Sequence, residues 1–533
     1  MQHSVSLGHP GWIVTGHSHA RGQAFHGDSF LDARGLAAMF DAAPTADAWC
    51  ALLPRLNGCF AVATHRHGEL LAAVDRLRSI PLFFRSSQTG VSLSDEAQHL
   101  RADFGPAGLD DVAISEFRLC GYVTGAGTLD AAVRQLRPGH FLHASNESST
   151  TAASRYYAFQ HHAFFDEDEQ PLFERMRDVH ERTFRRLIES SQGRPIVVPL
   201  SGGYDSRLIA VSLRDAGVKD VLCYTYGTEA NWEPRISRDL AAYLGFRWLF
   251  VPYSAALWQA WAATPEFNDY FSTAGNLSSV PHLQDWPAVL ELKRRHAIPP
   301  DSIFVPGHTG DFLFGGHIPK WYPQKTRLSR RAILDSIYSA HYALWDWPAN
   351  QRQSLRDCFD ARVEEIVGKI RECDPETAGG IYEQWECEER QAKFICNAVR
   401  VYEFFGYEWR LPLWDAELMD FWSHVPLRLR VKRKLYRDFV AKHQSLPVQA
   451  ANEDRGILAR SAIAAINASP LRPAAKRLQR VLTRMRWRHE YEHSALGWYG
   501  VVDSAEFRRR FTGRENAHAF FALKYLAALG CDV

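Results

Sequence analysis

A parallel α/β sheet domain, preceded by a smaller α+β, β-rich unit and followed by a helical region, is the architecture the sequence predicts. Two observations lead to it. Between residues 196 and 244 an apolar run (Ile196–Leu200), a Ser-Gly-Gly turn, a helix-length segment (Ser206–Ala216), a second β-like run (Val221–Tyr226) and another helical stretch (Glu233–Leu244) follow one another. Strand, turn, helix, strand is the order of a parallel sheet flanked by helices. Before residue 150 short alternating or apolar runs recur instead, separated by Gly, Pro, Asp and Ser.

In chain order, the β-like runs of the first unit are Gly11–Val14, Phe60–Ala63, Leu70–Val74, Leu82–Phe84 and Val91–Leu93, with one helix expected over Asp111–Gly121. The polar stretch Ser145–Ser154 reads as a linker, which divides the chain into 1–150 and 151–533. Apolar residues from Leu172 to Ser190 recur at helical spacing. After the α/β segment the chain to Val533 is mostly helical in pattern and rich in Trp, Phe and Tyr.

The chain has 533 residues, too many for one core, and two domains fit best. Apolar residues make up 46% and charged residues 23%, the profile of a globular protein. A net charge of +1 supplies no global field to recruit nucleic acid or anionic membrane. The nine cysteines stand singly, with no CxxC pair, which argues against a zinc or disulfide framework and fits a reducing cytosol. The first residues have no basic stretch followed by an apolar one, and no apolar run approaches the roughly 20 residues of a spanning helix. A cytoplasmic protein without a membrane span is expected.

The sharpest local signal is Val197-Val-Pro-Leu-Ser-Gly-Gly-Tyr-Asp-Ser-Arg207. Leu200, Ser201, Gly202 and Gly203 leave a strand and enter a helix, which places free N–H groups and the positive end of the helix dipole at one point. The two glycines let the backbone approach a ligand, and Ser201 and Ser206 add hydroxyls. Asp205 can hold a divalent cation there. A turn that merely ends the strand would need neither Asp205 nor Ser206.

These residues resemble the SGGxDS pyrophosphate loop of the N-type ATP pyrophosphatases, which cut ATP between the α and β phosphates; no Walker loop is present. Three further stretches narrow the resemblance to the asparagine synthetase family. Gly307-His-Thr-Gly-Asp-Phe-Leu-Phe-Gly-Gly316 is similar to its GxGxDELFGG segment, and Asn397 to Asp415 to its KVDRxSMxxGLEARVPFLD stretch, with Arg400, Gly406, Glu408, Arg410, Pro412 and Asp415 matching. Lys434-Leu-Tyr-Arg437 is similar to the KxxLR element, and Leu446-Pro447 stands where a Leu-Pro precedes a basic loop. The resemblance implies an adenine-nucleotide α-hydrolase-like sheet and ATP as substrate. It implies Mg²⁺ held by Asp205 and Asp311, with Tyr226, Gly227 and Gly307 beside the nucleotide. The segments around Leu56–Ala63, Asp75-Arg76, Leu93–Asp95, Gly121–Leu129 and Leu136–His140 resemble the family's glutaminase domain, which implies an Ntn-hydrolase-like fold for the first unit.

Two departures bear on activity. The family's glutaminase uses an N-terminal cysteine, whereas position 2 is Gln2 and the first cysteine is Cys50. The arginine and Asn-Gly-Glu substrate loops are also missing, so no glutamine hydrolysis is expected, and Cys59 or Cys120 as a substitute has no partner motif. The second departure is His308, where asparagine synthetases have Glu and β-lactam-forming relatives Tyr. With Glu408, the match to the family's second dyad member, it would make an imidazole–carboxylate base; a structural histidine is the alternative. The cation that steadies the adenylate is expected at Arg455, with Lys434 a second candidate. His17/His19 and His65/His67 have metal-like spacing but more often decorate a solvent face, and the basic segment Arg472–Arg488 reads first as a solvated face, with an anionic substrate or a lipid surface as the alternative.

The expectation is an ATP-dependent amide-forming ligase of the asparagine synthase kind, giving AMP and pyrophosphate. The carboxylate substrate, a small molecule, a peptide or a sugar acid, is left open. So is the nitrogen source: free ammonia, a separate glutaminase or an amine. The assembly state, a homodimer included, also stays open. The alternative is a non-catalytic nucleotide-binding or regulatory descendant.

Overall fold

The computed structural model describes residues 3–88, 90–146, 151–167, 169–443, 481–482 and 485–532. Its N-terminal part holds two sheets. In the larger, Leu56–Arg66 and Ser18–His26 run antiparallel over nine paired residues, from His26↔Leu56 to Ser18↔Thr64. Glu69–Val74, His140–Ser145 and Thr151–Arg155 extend it on one side, and Ile13–Thr15 and Ser29–Leu31 lie on the other. Ser4–Ser6, Gly90–Ser94, Phe83–Ser87 and Arg134–Gln135 form the smaller sheet. The helix expected near residue 111 spans Asp111–Cys120; Asp110 caps it, and Gly121 ends it in the left-handed region at φ 88°.

Within the Ser145–Ser154 stretch, residues 147–150 lie outside the described ones, and Thr151–Ser154 belongs to a strand where a linker was expected. Thr151–Arg155 pairs antiparallel with His140–Ser145, and four of its five residues are exposed. A solvated edge strand need not carry apolar residues on its outer face, so its Ser, Thr and Ala read like linker composition.

The third sheet has five strands, all parallel, in the order Arg247–Pro252, Val221–Gly227, Ile196–Pro199, Ile303–Phe304, Glu408–Trp409. Both of its faces are covered. Ile196, Val198, Val221, Cys223 and Ile303 pack with Ile209, Leu213, Leu240 and Leu244 of the helices Tyr204–Asp215 and Glu233–Leu244. Val197, Leu222, Tyr224 and Phe304 face the main core. Burial on both sides is why these strands read as continuous apolar runs. Downstream, helices dominate, among them Arg330–His341, Arg352–Val367, Pro375–Glu386, Ala416–Ser423 and Ala517–Ala528. A π-helical stretch, Cys387–Ile395, continues Pro375–Glu386. Among the described residues no helix is long and apolar enough to cross a membrane.

Candidate functional site

The carboxyl ends of the parallel strands open into a cleft of about 410 Å³, bounded by Pro199 and Ser201–Ser206 after one strand, Tyr226 at the end of the next, and Pro306–His308 after a third. Ligands of open parallel sheets sit at this end of the strands. Gly203 is the N-cap of helix Tyr204–Asp215, in extended conformation and without a side-chain cap, so the first N–H groups of the helix face the cleft. The loop is internally braced: Ser201 donates its N–H to Ser206 Oγ at 3.0 Å, and Gly203 donates to Ser201 Oγ at 3.2 Å. The Leu200 carbonyl accepts from Thr225 Oγ1 and Ser237 Oγ, which anchors the strand end.

Two glycines let the next loop close on this helix. A Cβ on Gly307 would lie 2.7 Å from the Ser206 nitrogen, and one on Gly310 would lie 2.3 Å from the Asp205 carboxyl carbon. Asp311, one residue on, therefore borders the same cleft as Asp205. Burial raises the Asp205 pKa well above the carboxylate range, and the Asp311 charge raises it further. Arg433 and a hydrogen bond from Tyr436 Oη at 3.1 Å work against that shift. Arg433 is ion-paired with Asp311. Thr309, between the two glycines, sits at φ 81° and donates from Oγ1 to Gln391 Oε1 at 3.2 Å. Such a conformation in a non-glycine residue is held only where its surroundings fix it.

A profile of the asparagine synthase family matches residues 177–444, half of the chain, and one of the glutamine amidotransferase domain matches 41–157. The chain belongs to the asparagine synthase family. This is a family of ATP-dependent carbon–nitrogen ligases. Among solved structures, an NH3-dependent NAD synthetase from Campylobacter jejuni is 18% identical over 28% of this chain and 61% of its own, with a TM-score of 0.19. A glutamine phosphoribosylpyrophosphate amidotransferase from B. subtilis, complexed with ADP and GMP, is 10% identical over 56% and 63%, also at 0.19. A structure titled as the allosteric regulatory enzyme of purine biosynthesis is 11% identical over 44% and 60%, again at 0.19. The chain thus spans 60–63% of the length of these structures. No curated protein matches it.

Of the family-derived site residues, the structure gathers Ser201, Gly202, Gly203, Asp205, Ser206, Tyr226, Gly307, His308 and Asp311 around one cleft. Leu200 is buried beneath it, and Gly227 turns at φ 135° against the Ala495 carbonyl. Glu408 is elsewhere. It pairs in register with Ile303, at the opposite end of the strand from His308. Its carboxylate binds Arg194 at 2.6 and 2.8 Å and Arg410 at 3.1 Å, beside a separate cavity of about 460 Å³ that contains Cys59 and Arg21. The His308–Glu408 dyad is therefore corrected: a match in motif order does not say which end of a short strand a side chain occupies.

Among the described residues His308 has no hydrogen-bonded carboxylate partner. Its Nδ1 is enclosed and unbonded, and burial pushes its pKa down to about 4, against the pull of Asp285. His282, 6.4 Å away between ring centres, also lowers it. Lys434 is corrected as well. It is solvent-exposed, bound to Glu169 and Asp438, and does not line the cleft. Lys432 and Arg433, both at φ 59°, turn the chain so that Arg433 is the cation in the cleft. Arg455, Leu446-Pro447 and most of Arg472–Arg488 lie outside the described residues. Asp285, Glu233 and Trp232 also line the cleft and carry no motif. Cys59 and Cys120 are buried thiols whose pKa burial pushes far up, so neither offers a ready thiolate. Among the described residues no group of three or more metal-ligating side chains occurs, the N-terminal histidine pairs included.

Proposed function

We propose that this chain binds ATP in the cleft, adenylates a carboxylate and passes the acyl group to ammonia or an amine. The observation that carries the reading is one cleft in which an uncapped, glycine-rich helix N-terminus faces Asp205 and Asp311. The N–H groups around Gly202 and Gly203 would receive the β and γ phosphates as pyrophosphate, their charge stabilised by the helix dipole. A substrate carboxylate oxygen would bond to the α-phosphorus while the bond from that phosphorus to the bridging oxygen breaks. In the second step nitrogen would bond to the acyl carbon, AMP would leave with its bonding electrons, and the nitrogen would lose a proton.

Asp205 and Asp311 fit a hard divalent cation. They are two neighbouring carboxylates, one of them half-buried and costly to ionise alone, with too few further ligands among the described residues to complete a shell. Mg²⁺ commonly takes one or two carboxylates and completes its octahedron from phosphate oxygens and water. Bound there, it would offset charge on the phosphates. Arg433 would turn from Asp311 toward the α-phosphate.

ATP–pyrophosphate exchange across a panel of free amino acids, capped dipeptides and sugar acids tests the reading. Exchange should need Mg²⁺ and one class of acid. Asp205→Asn and Asp311→Asn should each lower it by roughly 10²–10⁴-fold with the fold intact, as expected for losing several kcal/mol of charge stabilisation. Full exchange in either variant would remove the two-carboxylate site.

A further inference from the structure

Asp311 is followed by a tight return of the chain. Gly316 donates its N–H to the Asp311 carbonyl at 2.7 Å, and a Cβ on Gly316 would lie 3.2 Å from Arg433 Cδ. His317 is thus rooted one residue beyond the backbone that packs against the Asp311–Arg433 pair, at the rim and just outside the residues that line the cleft itself. Its side chain is 29% exposed. Its Nδ1 is hydrogen-bonded to Glu386 Oε1, and Nε2 makes no hydrogen bond among the described residues. With Nδ1–H donated to a carboxylate, the lone pair is on Nε2.

Glu386 is fully buried at the end of helix Pro375–Glu386, where the chain widens into the π-helical stretch. Such stretches recur at functional sites. Gln391, one turn on, donates from Nε2 to Glu386 Oε1 at 3.2 Å and accepts from Thr309 at 3.2 Å, so the carboxylate is tied to the loop that carries His308 and Asp311. Its second oxygen, Oε2, is enclosed without a hydrogen bond, with His341 Nε2 at 3.9 Å. Nothing in the proposed adenylation uses these groups.

We propose that His317, oriented by Glu386, is the general base that takes the proton from the attacking nitrogen in the amide-forming step. The inference rests on the ligase reading above. Nε2 takes one proton from ammonium, which frees the nitrogen lone pair; the lone pair forms the bond to the acyl carbon, the acyl–phosphate C–O bond breaks with AMP as leaving group, and the second proton of the nitrogen passes to water. His308, His282 and His518 are poorer bases, each lowered by burial and without a carboxylate bond. Burial also disfavours the charged form of His317, but the charge and hydrogen bond of Glu386 outweigh it; Arg390 opposes, Asp311 adds, and the net pKa is raised. An imidazole of ordinary pKa about 6.5, moved upward, suits a base working near neutral pH. The groups facing it are Glu386, Arg390, His341 and Asp311. Glu386 acts through His317 and is a positioning residue.

The test uses the full chain, Mg-ATP, the acid that gives most exchange in the panel, and two nucleophiles: ammonium, which must be deprotonated, and hydroxylamine, already largely neutral at pH 7. His317→Gln should keep pyrophosphate exchange and hydroxamate formation but lose amide formation from ammonium by roughly 10²–10⁴-fold. In wild type the ammonium rate should fall as pH drops through the raised imidazole pKa, and Glu386→Gln should move that midpoint down. Should Glu386→Gln fail to fold, the partly exposed His317→Gln decides alone. Unchanged ammonium chemistry in His317→Gln overturns the proposal, and so does equal loss of exchange and both products. If wild type itself exchanges with no acid, the ligase reading falls first, and that failure is seen before any variant is made.

Discussion

At Glu408 both carboxylate oxygens are taken up by guanidinium groups, and Arg194, then Arg410, hold its pKa down to about 2 despite partial burial. A carboxylate so occupied clamps the chain after helix Glu169–Ser191 to the sheet edge and has no free oxygen with which to orient a base. Glu408→Gln should therefore leave amide formation within a few-fold of wild type and cost stability instead. The side chain is 55% exposed, so the loss at neutral pH should stay below about 1 kcal/mol. The folded pKa lies under the ordinary 4.5, so the stabilisation is fully present above that value and is lost as pH falls from about 4.5 toward 2. Urea denaturation of the two proteins at pH 7 and below pH 4 checks this: their difference should shrink in acid. A collapse of catalysis in Glu408→Gln with unchanged stability would restore it to the chemistry. Arg433 teaches the complementary lesson. A basic cluster at 432–434 is visible in the sequence, but two successive left-handed residues decide which of its side chains turns inward, and no spacing rule foretells that.

The elements that hold the glycine-rich loop were legible because each carries either a continuous apolar run or a helical period. Ile196–Pro199 and Val221–Gly227 are buried on both faces, and the helices between and after them keep their apolar stripe. Ile303–Phe304 and Glu408–Trp409 are two-residue strands, too short to alternate, and the sequence pattern placed no strand at either. The π-helical stretch was invisible for another reason. Charged residues at 386, 388, 389 and 393 are buried there by pairing, and a hydropathy pattern reads them as surface. The same close-packed loops yield an element-scale prediction. Gly307→Ala would set a methyl 2.7 Å from the Ser206 nitrogen, where backbone rather than a flexible side-chain tip must yield. The two loops should part, weakening Mg-ATP affinity by about tenfold or more, an overpacking cost of roughly 1–3 kcal/mol expressed at the site. Calorimetric titration with a non-hydrolysable ATP analogue measures it; unchanged affinity would show that the loops are not held in register by this contact.

Across the whole molecule, the glutamine amidotransferase-like part and the synthase part share buried charge. Lys393, fully enclosed in the π-helical stretch, pairs with Glu389 at 2.6 Å and donates to the carbonyls of Val123 at 3.0 Å and Gly125 at 2.6 Å. Gly125 returns a hydrogen bond to Glu389 at 3.1 Å, and Arg137 reaches Glu388 at 3.0 Å. Burial drives Glu389 up and Lys393 down, each toward its neutral form, and their attraction offsets this only in part. Removing one partner is therefore worse than removing both. Lys393→Met strands a buried carboxylate and two backbone carbonyls, and should cost about 3–5 kcal/mol. Lys393→Met with Glu389→Gln removes both charges of the pair and should recover much of that loss. Because the pair bonds the 121–129 segment directly, the single variant should loosen both parts together. Hydrogen exchange at Val123–Gly125 should rise along with exchange in the 387–395 stretch. If denaturation instead showed the double variant no better than the single one, the ion pair would be a bystander, and the join between the two parts would rest on apolar packing alone.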